Sequence, residues 1–153
     1  MADLPRNWAI LQTLQARLQE IDPANGYRTT AGDDVRLERG EEVVARPVLY
    51  LYSGSNVRPD DSRVRGEREF TLIVEAHVPT TLDSAHMAVV AITEDIEDAL
   101  TDYLQQPLAL PLTFEESLFL DSPAGLPVMV SQTLFTTRYR RQPVAHSPVG
   151  GRR

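Results

Sequence analysis

The sequence contains no cysteine and no lysine. The first absence excludes disulfide staples, thiolate metal sites and a cysteine nucleophile. The second leaves arginine as the only permanent side-chain cation, a planar fork suited to bidentate pairing with carboxylates. Long apolar runs are also missing. No stretch approaches the roughly 18 consecutive apolar residues of a membrane helix, so no membrane partner is expected. The opening MADLPRNWAI lacks the basic region and apolar run of a secretory signal, which makes a cytoplasm the expected compartment. Histidine is scarce: His77, His86 and His146 include no pair at the i, i+4 spacing of a helical metal site. A Gly-x-Ser-x-Gly elbow, a phosphate loop and a dinucleotide glycine fingerprint are absent. The acid pairs Asp33-Asp34, Glu41-Glu42, Asp60-Asp61 and Glu115-Glu116 are sequence neighbours, which a strand would point to opposite faces. No catalytic group, metal or cofactor is implied, and the sequence reads as that of a non-enzyme.

What is present begins with charge. The chain of 153 residues fits one domain, with 22 acids against 15 arginines for a net −7. The two signs are unevenly placed. The last acid is Asp121; up to it lie ten arginines and all 22 acids, a body of −12. Beyond it lie Arg138, Arg140, Arg141, Arg152 and Arg153, a segment of +5. An acidic body lacks the broad basic surface of a general nucleic-acid binder. Charge separated in this way favours docking between protein surfaces.

Periodicity gives the elements. Pro5 precedes Leu11, Leu14, Leu18 and Ile21, an amphipathic helix that Asp22-Pro23 and Asn25-Gly26 end. Residues 27 to 46 read as strand, turn and strand around Ala31 to Asp34, and Val48 to Tyr52 as a strand. Ser53 to Arg68 is polar, carries Arg58, Arg63, Arg65 and Arg68, and reads as a long loop, either a partner contact or a solvated excursion. In the strand Glu69 to Val78, Phe70, Leu72, Val74, Ala76 and Val78 form one face; Thr71, Glu75 and His77 lie on the other, where Ile73 implies partial cover. A second helix runs from about Leu82 to Leu104, with Val89, Ile92, Ile96, Ala99, Leu100 and Tyr103 as its buried stripe. Glu94, Asp95, Glu97, Asp98 and Asp102 supply its outer face. Strands over Thr113 to Leu120 and Val128 to Arg141 follow, and residues 142–153 form an extended arm with two prolines and a glycine pair. Tyr139 among three arginines has the composition of a phosphate contact, but the end of a strand with solvated or acid-paired arginines is the preferred reading. The expected fold is α+β: one domain over residues 1–141, a mostly antiparallel sheet with two helices on one face.

The arrangement resembles the tail terminator (tail completion) proteins of long, non-contractile-tailed bacteriophages. The resemblance covers most of the chain. It runs from the first helix and Asn25-Gly26-Tyr27, through TTAGDDVRLERGEE (Thr29 to Glu42) and RPVLYLYSG (Arg46 to Gly54), to EREFTLIVEAHVP (Glu67 to Pro79). ITEDIEDAL (Ile92 to Leu100) and TTRYRRQP (Thr136 to Pro143) complete it. It implies a six-fold ring of identical subunits that caps the tail tube, ends its polymerisation and offers the other face to a neck or head-completion protein. DNA would pass through the lumen only as cargo. The implied location is the head-proximal end of the virion tail, after assembly in the host cytoplasm. Arg138, Arg140 and Arg141, with Arg58, Arg63 and Arg65, are then the expected contacts to a neighbouring subunit or the tube. Glu94, Asp95, Glu97, Asp98 and Asp102 are the candidates for an acidic lumen lining. Another ring component of tail or neck (a tube or head-completion subunit) and a non-phage acidic adaptor remain open alternatives.

Overall fold

The computed structural model describes residues 4–39, 45–105, 108–120 and 126–143. Helix α1, Arg6–Leu18, starts directly after Pro5, which stands at its N-cap. Ile10, Leu11, Leu14 and Leu18 form its buried face, and Ile21 extends that face past the helix end. The Asp22 carboxylate accepts the Ala24 N–H at 2.8 Å and so opens a short 3-10 turn, which Gly26 closes at φ +91°. Residues 27 to 36 hold less strand than their composition suggests. A second 3-10 turn, Ala31–Asp33, leads into a two-residue strand β1, Val35–Arg36, and residues 40–44 of the expected second strand lie outside the described residues.

Four longer strands complete the sheet: β2, Val48–Val57; β3, Glu67–Pro79; β4, Thr113–Leu120; and β5, Val128–Arg140. Their order is β1-β2-β3-β5-β4, with β1 parallel to β2 and every other pairing antiparallel. Helix α2, Ala85–Leu100, lies between β3 and β4 in sequence. It is shorter than its apolar periodicity predicts. Ser84 and Asp102 both have positive φ, 57° and 59°, and Thr101 is extended, so the helical backbone ends at Leu100. The α2 carboxyl end also gains a cation from outside: Arg17 Nε donates to the Ala99 carbonyl at 2.9 Å.

Both helices cover one face of the sheet. The alternate β3 residues Phe70, Leu72, Val74, Ala76 and Val78 join Leu49, Leu51, Phe135 and the two helix stripes in one core. The α+β architecture with two helices on one face of a mostly antiparallel sheet is therefore as the periodicity implies. Among the described residues no helix is long and apolar enough to cross a membrane. Of the arm, only its first two residues, Gln142 and Pro143, are among those described.

The region Ser53 to Arg68 differs most from its sequence reading. β2 continues to Val57 and β3 begins at Glu67, so both ends of the expected loop are strands of a β-hairpin, paired from Ser53↔Leu72 to Val57↔Glu69. Residues 58–66 between them form its turn. Small polar residues (Ser53, Gly54, Ser55, Asn56) mask the strand in the sequence, yet nothing in them forbids extended pairing.

Candidate functional site

The hairpin turn and the end of β5 form one basic end of the molecule. The Arg141 N–H donates to the Gly66 carbonyl at 2.8 Å, which ties the two segments together. Gly66 has φ +80°, a conformation that favours glycine. A depression of about 480 Å³ opens there, lined by Arg58, Ser62, Arg63, Val64, Arg65, Gly66, Glu67 and Arg68. The two arginine groups, more than 70 positions apart in sequence, thus meet in space.

They do not act alike. Arg138 lies on the sheet face away from the helices and is engaged by its own chain: its guanidinium reaches Asp61 at 3.0 Å, Glu69 at 3.4 Å and Glu67 at 3.7 Å. The hydrogen bond to Asp61 is the main cause that raises its pKa. Arg58, Arg63, Arg65, Arg140 and Arg141 are exposed and make no ion pair among the described residues. Arg138 therefore braces the hairpin, and the other five present unpaired charge. Tyr139, between Arg138 and Arg140, faces the core instead: it is buried, its ring meets Phe70 edge-on at 6.1 Å, and its hydroxyl accepts from Asn56 Nδ2 at 2.9 Å.

The acidic helix divides as well. Glu94 and Asp98 are exposed and Glu97 is half-buried, whereas Asp102 lies exposed beyond the helix end. Asp95 requires a correction: its side chain is fully buried and cannot line a surface. It accepts the N–H of Arg28 at 3.1 Å, the N–H and hydroxyl of Thr29 at 2.8 Å each, and the Arg28 guanidinium at 3.1 Å. Asp98 takes the same guanidinium at 2.8 Å, and the hydrogen bonds to Asp98 and then Asp95 raise the Arg28 pKa. The signal was legible. Position 95 follows Ile92 by three and precedes Ala99 by four, which puts it on the buried stripe.

A third cluster sits on the sheet face away from the helices, where Ile73 implied cover. Tyr50, Val48 and Glu75 are buried there. Glu75 accepts from the Tyr52 hydroxyl at 2.6 Å and from Gln132 Nε2 at 2.9 Å, lies 2.6 Å from His77 Nε2, and pairs with the Arg39 guanidinium at 2.8 Å. Burial alone would raise its pKa. The hydrogen bonds from His77, Tyr52 and Gln132, with the Arg39 charge, outweigh that and lower it to about 2. Burial, and then the bond to Glu75, push the Tyr52 phenol well above its usual range. The carboxylate is held ionised with its oxygens occupied, an arrangement suited to clasping residue 39 against the sheet rather than to proton transfer. The sequence placed Glu75 and His77 on this face, but Arg39, Tyr52 and Gln132 are brought there only by topology. Among the described residues no group of three or more histidines and acids could hold a metal.

The fold matches that of a chain in a solved structure of the virion of a native gene transfer agent particle. The TM-score is 0.54 at 18% sequence identity, over 83% of this chain and 94% of that one. No protein-family model matches the sequence, and no curated protein matches it.

Proposed function

We propose that the chain is a structural subunit of a phage-like virion, a tail terminator that assembles into a ring on the tail tube, stops tube growth and offers its far side to the neck. The observation that carries this reading is the fold likeness to a gene transfer agent virion chain, which spans 94% of that chain. The tail-terminator resemblance of the sequence supplies the finer role.

In this reading the work is non-covalent, and no enzyme activity or cofactor is involved. Six copies contact head to tail, so each subunit presents one patch to a different patch on the next. Arg58, Arg63, Arg65, Arg140 and Arg141 supply the unpaired cations for that contact or for the tube, and Arg138 holds the hairpin that carries four of the arginines of this end. Glu94, Glu97, Asp98 and Asp102 face the lumen, where negative charge keeps passing DNA phosphates from sticking. The partners are further copies of the chain, the tube protein and a head-completion protein, at the head-proximal end of the tail after assembly in the host cytoplasm. Electron microscopy and native mass spectrometry of the purified chain test this. Closed rings are expected. Long tubes would identify a tube subunit instead, and a species that forms neither rings nor tubes would favour an adaptor.

A further inference from the structure

The sheet has two free edges, and they suit each other. On one side β4 pairs only with β5 among the described residues, which leave its outer edge without a strand partner. Its two acids, Glu115 and Glu116, stand in the first half of the strand, and its second half carries no charge. Leu118, Phe119 and Leu120 are 39%, 54% and 41% exposed, and the strand contains no proline. Exposed apolar edges of this kind invite another strand. On the other side β1 covers β2 only at Leu49 and Tyr50, and residues 51–57 have no strand partner there among the described residues. Val57, at the end of that stretch, is 50% exposed.

We infer that the open edge of β4 pairs with the open edge of β2 in a second copy of the chain, so that the sheet continues from one subunit to the next. The inference deepens the ring reading and rests on it. Strand direction supports it: β2, β3, β5 and β4 alternate in direction, so a neighbour's β2 placed beside β4 extends the antiparallel order without reversal. The two edges lie at opposite ends of one sheet, so pairing between them is head to tail, the kind of contact a ring uses, rather than a two-fold dimer.

The faces limit the register to alignments that keep side chains of the same face together. Leu120, Leu118 and Glu116 lie on the sheet face away from the helices, opposite Val130, Gln132 and Leu134 of β5. On β2 the same face carries Tyr52 and, after the irregularity at Gly54, Ser55 and Val57. The proposed antiparallel alignment sets Leu120 beside Tyr52, Leu118 beside Ser55 and Glu116 beside Val57 of the next copy. Glu116 makes no ion pair among the described residues, and this register puts it one residue from the unpaired Arg58 of the neighbour. This alignment gives one apolar pair, Leu120 with Tyr52, and brings one acid near one arginine.

The absence of native cysteine gives a clean test. Within one chain β4 and β2 are separated by two strands, about 14 Å at the usual spacing, too far for a disulfide. The double variant Leu118→Cys with Ser55→Cys is oxidised in solution and compared with each single variant on non-reducing gels, beside native mass spectrometry of the reduced proteins. The expected result is that most of the double variant shifts into covalent oligomers up to the ring size, while the single variants stay monomeric on the gel. Rings without cross-links in the double variant would overturn the edge pairing and leave the ring reading intact. Cross-linked dimers of Leu118→Cys alone would show β4 pairing with itself and overturn it too. A protein that stays monomeric in the mass spectrometer, with no cross-links, would count against both.

Discussion

At the scale of single residues, two buried carboxylates fasten loops to regular elements. Asp95 takes two backbone N–H groups, a hydroxyl and a guanidinium from residues 28 and 29, and its neighbour Asp98 shares only the exposed half of that ion pair. Asp95→Ala is expected to cost roughly 1–3 kcal/mol, because it removes the acceptor of the part-buried Arg28 and Thr29 N–H groups. Asp98→Ala should cost about 1 kcal/mol or less, since both partners of that pair are solvated. Urea unfolding of the two variants reads the difference. Glu75 makes a pH prediction. Its pKa falls from 4.5 to about 2 on folding, so it contributes stability that is full above about 4.5 and is lost as pH falls toward 2. Glu75→Gln should lower stability at neutral pH by roughly 1–3 kcal/mol. The gap to the parent protein should narrow on acidification, as the parent's own carboxyl takes up a proton; a constant gap would contradict the account.

At the scale of elements, one contact decides how the first helix joins the sheet. Gly32 sits against the end of α1, where an added Cβ would stand 2.6 Å from the Gln19 carbonyl oxygen and 2.7 Å from that of Ile21. Those atoms are backbone and cannot step aside. Gly32→Ala should therefore destabilise by about 1–3 kcal/mol, measured as a lowered urea midpoint with unchanged slope. That contact could not be read from the sequence, since it depends on where α1 ends in space. Other elements could. The even-numbered apolar positions of β3 and the three-and-four spacing of both helices state the core faces directly, and strand Thr113–Leu120 has the bounds its composition suggests. The hairpin was hidden because Ser53 to Asn56 have turn-like composition and pair only because β3 is long enough to receive them. The meeting of residues 58–68 with 138–141 was hidden for the same reason: it follows from the β3–β5 register, Glu69↔Arg138. The Asp95 clasp was half visible, as a polar residue on a buried stripe whose partner was unknown.

At the scale of the whole molecule, the separation of charge acquires a location. Arg138 is balanced by three acids of its own chain, and five exposed arginines remain unpaired at the same end among the described residues. Replacing Arg58, Arg63, Arg65, Arg140 and Arg141 together with alanine should change unfolding free energy by less than about 0.5 kcal/mol each, the usual range for surface sites. It should abolish ring formation seen by native mass spectrometry. Parent rings should weaken with added salt, because exposed charge pairs are screened. The central claim is that the chain caps a tail, and electron microscopy of particles assembled without it tests that claim most directly. The account predicts overlong tails or tails not joined to heads; tails of normal length joined to heads would contradict it.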